Sequence, residues 1–119
     1  MSTEQHWSFE SLRFDQVVAH QGARPILARR ASQRGDGWTY NFLDFAIVPA
    51  GADIGVHTHG PDNQEIYVII SGRGLMHLDG DDFEVGTGHV IVNRPGGTHG
   101  LKNTGDEYLT LVVIEIPVS

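Results

Sequence analysis

The feature that most constrains this chain is a series of short apolar segments separated at near-regular intervals by glycine-rich turns. About ten such segments follow one another, and no apolar period of 3.6 residues is sustained anywhere along the 119 residues. Segments rich in Val, Ile and aromatic residues, bounded by Gly, Asp and Pro, are typical of strands joined by tight turns. The pattern therefore predicts an all-β sandwich or barrel.

Local composition places the individual strands. The predicted strands are residues 14–20, 25–30, 38–48, 55–59, 65–70, 75–78, 83–85, 89–92, 99–103 and 108–116. Residues 1–12 are polar with irregularly spaced apolar side chains, which indicates a loose arm or a short helical turn. The pair Asp79-Gly80 stands between two apolar segments, and Asp-Gly in that setting predicts a hairpin turn.

The last segment differs from the others because its apolar residues are continuous rather than alternating. The run from Leu111 to Ile114 indicates burial on both faces of the strand. One face belongs to the core of so small a barrel, so we expect the other face to lie in a homodimer interface.

Length and composition exclude several classes of protein. A chain of 119 residues is one domain by size, with residues 1–37 as an N-terminal arm and edge strands and residues 38–116 as the core barrel. The chain has no cysteine, which excludes disulfides, iron–sulfur clusters and thiol nucleophiles. No secretory signal and no apolar run long enough to span a membrane are visible, so we expect a cytoplasmic protein.

The charge distribution is uneven. The net charge is −7, with +2 on residues 1–35 (five arginines, three acids) and −9 on residues 36–119 (three bases, twelve acids). An acidic body excludes nucleic acid as the expected partner, because nucleic-acid binding requires a basic surface. The basic N-terminal part is either a solvated edge or a contact for an anionic substrate or partner. The contact would use four of its five arginines, Arg24, Arg29, Arg30 and Arg34.

Two histidines, His57 and His59, lie two positions apart in a predicted strand, and Glu65 begins the next one. Residues i and i+2 of a strand share a face, with Cα atoms about 6–7 Å apart. Two imidazoles at that spacing can converge on one metal ion, and a carboxylate from the next strand completes a two-histidine, one-carboxylate set. The stretch therefore suggests a metal site.

A second stretch rich in glycine, proline and histidine follows downstream and contains Gly88, Pro95, Gly97, His99 and Asn103. Together with Gly51, His57, His59, Glu65 and Gly72, these residues resemble the paired motifs of the cupin superfamily. The first motif has one extra residue before its glutamate, and the second keeps the family's total span from glycine to histidine. The resemblance covers residues 38–116 and implies a double-stranded β-helix, a jelly-roll-like barrel with both motifs on its inner wall.

The resemblance also implies a metal centre. The family's ligands fall on His57, His59, Glu65 and His99. Gln64 stands at the family's usual longest spacing, but a carboxylate suits a divalent ion better than an amide does, and Glu65 keeps the six-residue spacing to Gly72. Three imidazoles and a carboxylate suit one divalent transition metal (Mn, Fe, Ni, Co, Cu or Zn) rather than an all-oxygen calcium or magnesium cage.

Three further side chains, Gln64, Tyr67 and His77, are candidates for a position next to the metal or in the substrate pocket. Tyr67 is two positions past Glu65 and is expected on the same inward face, where it either packs or donates a hydrogen bond to substrate. His77 lies among apolar residues and acts as an acid or base if it faces the barrel. We interpret His20 as a strand-end residue and His89 as structural.

These observations leave three functional hypotheses. The first is a metal-dependent enzyme (a dioxygenase, a lyase or decarboxylase, or an isomerase) acting on a small polar metabolite. The second is a non-catalytic protein that binds or senses a small molecule such as a sugar or an oxyacid. A metal-free epimerase with a histidine base is the third, and the intact ligand set argues against it.

Overall fold

The computed structural model describes residues 4–118, which fold almost entirely as β-structure. Apart from the strands, this part of the chain contains a single 3-10 turn at Ala19–Gln21 and no α-helix. The strands are β1 (Asp15–Val17), β2 (Ile26–Gln33), β3 (Phe42–Val48), β4 (Asp53–Thr58), β5 (Asn63–Ser71), β6 (Arg73–Leu78), β7 (Asp81–Gly86), β8 (Val90–Asn93), β9 (Thr98–Asn103) and β10 (Leu109–Pro117). The all-β prediction is confirmed.

The strands form two sheets. One has the order β1-β2-β3-β10-β5-β8 and the other the order β4-β9-β6-β7, and each neighbouring pair is antiparallel. The chain crosses between the sheets from β3 to β4, back at β5 and again at β6. This alternation is that of a double-stranded β-helix, so the jelly-roll-like barrel is confirmed.

The space between the sheets has an apolar part and a polar part. The apolar part includes the fully buried side chains of Val48, Met76 and Leu111, which come from both sheets. The polar part contains Glu65 and His99, which are 6% and 0% exposed. Buried polar and ionisable groups cost free energy unless they are paired, so a protein rarely keeps them without a function. This polar interior is therefore the candidate functional site.

The predicted turn at Asp79-Gly80 is confirmed. These two residues join β6 to β7 directly, since Leu78 pairs with Asp81 across the hairpin. Their φ angles are 50° and 92°, in the left-handed region that Asn, Asp and Gly tolerate.

The strand predicted over residues 38–48 begins too early. The structure starts β3 at Phe42, because the backbone N–H of Arg34 donates to the carbonyl oxygen of Asn41 and closes a long hairpin loop there. Trp38 and Tyr40 lie in this loop and stack on each other, with ring centroids 6.0 Å apart. These aromatic residues, which suggested a strand, therefore pack against each other in the loop instead of pairing in a sheet.

The last strand is buried on one face and half-buried on the other. Leu111 and Val113 point into the core, whereas Val112 and Ile114 lie on the outer face. Residues 4–12 have no regular structure beyond a turn at 9–11, in agreement with a loose arm, and residues 1–3 of the predicted arm lie outside the described part. No helix within residues 4–118 has the length and hydrophobicity that crossing a membrane requires.

Candidate metal centre

Four side chains from three strands converge in the polar interior. His57 and His59 come from β4 and the residue after it, Glu65 from β5 and His99 from β9. One potential ligand atom from each of them lies within 4.8 Å of all the others. The four residues that the sequence suggested as ligands are therefore brought together, and the cluster is compatible with a metal ion.

The distances inside the cluster are short. Nε2 of His57 lies 3.1 Å from Nε2 of His59, and Oε1 of Glu65 lies 3.1 Å from Nε2 of His59 and 3.2 Å from Nε2 of His99. The register between β4 and β9 places His57 directly opposite His99, so the two imidazoles lie at the same end of the barrel interior.

Hydrogen bonds outside the cluster set which ring nitrogen faces its centre. Nδ1–H of His57 donates to the carbonyl oxygen of Gly55 at 2.7 Å, and Nδ1–H of His59 donates to Oδ1 of Asn63 at 2.9 Å. A neutral imidazole carries one N–H, so both rings then turn an unprotonated Nε2 inward. Two lone pairs 3.1 Å apart repel each other, and a cation between them removes that repulsion. The donor set therefore fits a divalent metal.

The pKa values of His57 and Glu65 agree with deprotonated ligands at these two positions. Burial is the largest cause that lowers the pKa of His57 from 6.5 to about 4, against the hydrogen bond to Gly55, which raises it. Burial raises the pKa of Glu65, but the hydrogen bond from His99 and the neighbouring imidazoles outweigh burial and leave that pKa below its usual value. At neutral pH the cluster thus offers neutral imidazole at His57 and an ionised carboxylate.

Strand alternation separates Glu65 from Gln64. Along β5, Glu65 and Tyr67 are buried, whereas Gln64 and Ile66 are half-buried on the opposite face. It is thus Glu65, and not Gln64, whose side chain lies in the cluster.

Tyr67 lies beside the cluster on the same face as Glu65. Its side chain is 2% exposed, and its ring meets the His99 ring edge-on with centroids 5.4 Å apart. Burial, with a smaller contribution from the Glu65 charge, raises the pKa of Tyr67 well above its usual value. The phenol therefore stays protonated and remains a hydrogen-bond donor.

His77 does not join the cluster. Met76 is fully buried, so alternation along β6 turns His77 to the outer face of the four-stranded sheet. There its Nδ1 lies 2.7 Å from Oδ1 of the exposed Asp82. The sequence left the face of His77 open because the register after the Gly72–Gly74 turn was not fixed.

A cavity of about 550 Å³ opens beside the cluster. Glu65 and Tyr67 form part of its wall, together with side chains from β1, β2 and β3 and the 3-10 turn. This volume lies within the range of small-molecule pockets, about 300–1,000 Å³. Of the four cluster residues, Glu65 lines this cavity, so a small ligand bound there would lie next to the carboxylate side of the cluster.

His20 was missed as a site residue. It lies in the 3-10 turn rather than at a strand end, lines the cavity and stacks on His57 with ring centroids 3.4 Å apart. The turn is held on β4 by the backbone N–H of Ala23, which donates to Asp53 at 2.6 Å, and by Gly55, where a Cβ would lie 2.0 Å from the His20 carbonyl oxygen. No motif or periodicity signals such a docked turn.

Arg30 and Asp44 were also missed as a pair. Nε of Arg30 donates to Oδ1 of Asp44 at 2.9 Å and Nη2 donates to Oδ2 at 3.2 Å, while the guanidinium lies 4.0 Å from the centre of the Phe42 ring. All three side chains line the cavity. Of the two interpretations that the sequence left for the N-terminal arginines, a substrate contact is thus available to Arg30.

The fold and the cluster together define a small β-barrel with a candidate three-histidine, one-glutamate metal site. The family model described as "Cupin domain" matches residues 44–115, which include all four cluster residues. The match spans more than half of the chain, so the protein belongs to the cupin family, and the resemblance seen in its motifs is confirmed.

Two curated proteins illustrate the sequence similarity. An uncharacterized protein of Methanocaldococcus jannaschii is 40% identical over 72 residues, which are 60% of this chain and 57% of that protein. The oxalate-binding protein of Thermotoga maritima is 33% identical over 70 residues, 56% of this chain and 57% of that protein. The matched segment thus spans little more than half the length of either relative.

Solved structures show the same fold. A predicted oxalate decarboxylase from Thermotoga maritima superposes with a TM-score of 0.88 at 22% identity, covering 96% of this chain and 100% of that one. A putative sugar phosphate isomerase from Acidithiobacillus ferrooxidans superposes with a TM-score of 0.78 at 13% identity, covering 96% of this chain and 75% of that one. At these identities the likeness concerns the fold alone.

Proposed function

We propose that this protein is a metal-dependent cupin enzyme that acts on a small polar metabolite. Its ligands for one divalent transition metal are His57, His59, Glu65 and His99. The observation that carries the proposal is the convergence of four ligand atoms within 4.8 Å beside a cavity of about 550 Å³. A mixed nitrogen and oxygen donor set of this kind suits Mn, Fe, Co, Ni, Cu or Zn.

The residues of the chain have separate tasks in this proposal. A bound metal supplies Lewis acidity, a template or a redox centre, which serves a dioxygenase, a lyase or decarboxylase, or an isomerase. Gly55 and Asn63 orient the imidazoles of His57 and His59 through their Nδ1 atoms. Tyr67, which keeps its proton, donates a hydrogen bond to a molecule in the cavity.

Metal analysis of protein purified without an affinity-tag metal tests the proposal. Near-stoichiometric transition metal is expected in the wild type, and His99→Ala should lose both metal and activity. His89→Ala is the matched control, because His89 is exposed and lies outside the cluster. Wild-type protein that takes up no metal after incubation with each candidate ion, or a His99→Ala variant with unchanged activity, would contradict the proposal.

A non-catalytic role is the second candidate. It is favoured by the relative from Thermotoga maritima, which is named an oxalate-binding protein. In that case calorimetry detects binding of an oxyacid or a sugar, while the same compound remains chemically unchanged after prolonged incubation with the metal-loaded protein. Turnover of the bound compound excludes this candidate.

We also propose that the protein is a homodimer joined through the outer face of the six-stranded sheet. Val92, Ile66 and Ile114 are neighbours across β8, β5 and β10 on this face, and Val92 is 49% exposed. A second copy placed on this face would remove a continuous apolar surface from water. Size-exclusion chromatography with light scattering should give the dimer mass at micromolar concentration, and Val92→Lys should give the monomer. A monomeric wild type would contradict the proposal.

A further inference from the structure

We propose that Arg30 determines substrate specificity by binding the carboxylate of a small organic acid whose other end reaches the metal cluster. This inference rests on the proposed metal centre and extends it to the substrate class. The juxtaposition that carries it is a positioned arginine in the wall of the same cavity that is lined by Glu65.

Strand register places Arg30 and Glu65 on one face of the six-stranded sheet, with the Arg30 side chain 49% exposed. Arg30 pairs with Asp44, Asp44 with Val113, and Val113 with Tyr67. Three strand spacings of about 4.8 Å put the Cα atoms of Arg30 and Tyr67 about 14 Å apart. The long Arg30 side chain spans part of this distance, and Glu65 lies two positions from Tyr67 on the same face. The remaining gap suits a short-chain acid.

The guanidinium is held in place and still has donors to offer. Asp44 accepts from Nε and Nη2, and the Phe42 ring packs against the guanidinium face. Among residues 4–118 no other acceptor is bonded to this guanidinium, so the N–H groups of Nη1 are available to a ligand. Arginine presents its donors as a planar fork that matches a carboxylate, and a fixed fork loses little entropy on binding.

Charges and wall chemistry narrow the ligand further. The cavity wall carries the ion pairs Arg30–Asp44 and Arg29–Asp15 and the carboxylate of Glu65. A divalent ion bound to the cluster would leave these groups with a net positive charge, which favours an anionic ligand. Between the two polar ends the wall is apolar, with Ala46 and Val113 among its side chains. The pocket therefore suits an acid with a short apolar body. Oxalate lacks that body and is too short to contact both ends.

Calorimetry of the metal-loaded protein with oxalate, malonate, succinate, glutarate and adipate tests the inference. Affinity should rise from oxalate towards succinate or glutarate, and the monoamide of the best diacid should bind more weakly. Arg30→Gln should weaken binding of the best diacid by about 10- to 100-fold, the loss expected for a charge-assisted hydrogen-bond pair. Oxalate binding and metal content should be unchanged.

Two further variants make the result interpretable. Arg34→Gln removes the same charge from an exposed position in the β2–β3 loop and should bind every acid as the wild type does. Arg30→Lys keeps the charge and the fold but not the fork, and should weaken binding of the best diacid by about 10-fold. It also keeps the test valid if Arg30→Gln fails to fold.

The outcomes separate this inference from the proposed function. Metal-loaded protein that binds all diacids equally, or an Arg30→Lys variant that matches the wild type, overturns the inference and leaves the metal centre standing. Protein that binds no metal overturns the proposed function, and the inference falls with it.

Discussion

Asn103, the last residue of the second cupin motif, should contribute to stability rather than to the metal site. Its amide Nδ2 donates to the carbonyl oxygens of Val48 at 2.8 Å and Glu107 at 2.7 Å, and its Oδ1 accepts from the backbone N–H of Gly105 at 2.9 Å. The residue is 2% exposed. At a net value of about 1 kcal/mol for each hydrogen bond, Asn103→Ala should lower the free energy of unfolding by about 3 kcal/mol. That is a large fraction of a typical domain stability of about 5–15 kcal/mol.

Guanidinium unfolding of the metal-free protein, followed by tryptophan fluorescence, measures this loss. Thr104→Ala, at the exposed neighbouring position, is the control and should change the free energy of unfolding by less than about 0.5 kcal/mol. Metal content of the folded Asn103→Ala variant should equal that of the wild type, because none of the three partners belongs to the cluster. If Asn103→Ala is as stable as Thr104→Ala, the reasoning about these hydrogen bonds is wrong.

Two further predictions concern the surroundings of the cluster. The folded-state pKa of His57 is about 4, below its unfolded value of 6.5, so its contribution to stability is present above pH 6.5 and is lost as pH falls towards 4. Because His57 is partly exposed, we expect the free energy of unfolding of the metal-free protein to fall by about 1 kcal/mol between pH 7.5 and 5. The free energy of unfolding of His57→Gln should fall by less over the same range. Equal pH dependence of the two proteins in unfolding experiments would contradict this. Gly55→Ala places a Cβ 2.0 Å from the His20 carbonyl oxygen, whereas nothing lies within 4 Å of a Cβ at Gly60. Gly55→Ala should therefore cost about 2 kcal/mol and Gly60→Ala almost nothing; thermal melts showing equal stability would argue against the tight docking of the 3-10 turn.

The strands and the histidine pair were predictable because their signals are local, whereas His99 was reached through the resemblance to the cupin motifs. Gly and Asp mark the turns, and the two-residue spacing of His57 and His59 is that of residues sharing a face of a strand. The strand predicted over residues 38–48 failed at its start because the hydrogen bond that closes the loop joins Arg34 to Asn41, and propensity does not report pairing.

The contacts that distant segments make in the cavity were not predictable. His20 meets His57 because the 3-10 turn docks on β4, and the pattern around His20 favoured a strand. Arg30 and Asp44 face each other because β2 pairs with β3 in a register that shifts within β2 between Arg30 and Ser32. Such an irregularity changes which residues share a face and leaves no periodic signal in the sequence.

The placement of the four cluster residues on two different sheets has a mechanical consequence. The three histidines belong to or directly follow strands of the four-stranded sheet, and Glu65 belongs to the six-stranded sheet. An ion held by all four residues would cross-link the two sheets. Separating the sheets at this end would then require breaking metal–ligand bonds. Resistance to proteases and the rate of unfolding would then depend on metal supply, and cellular abundance of the protein would follow the availability of its metal.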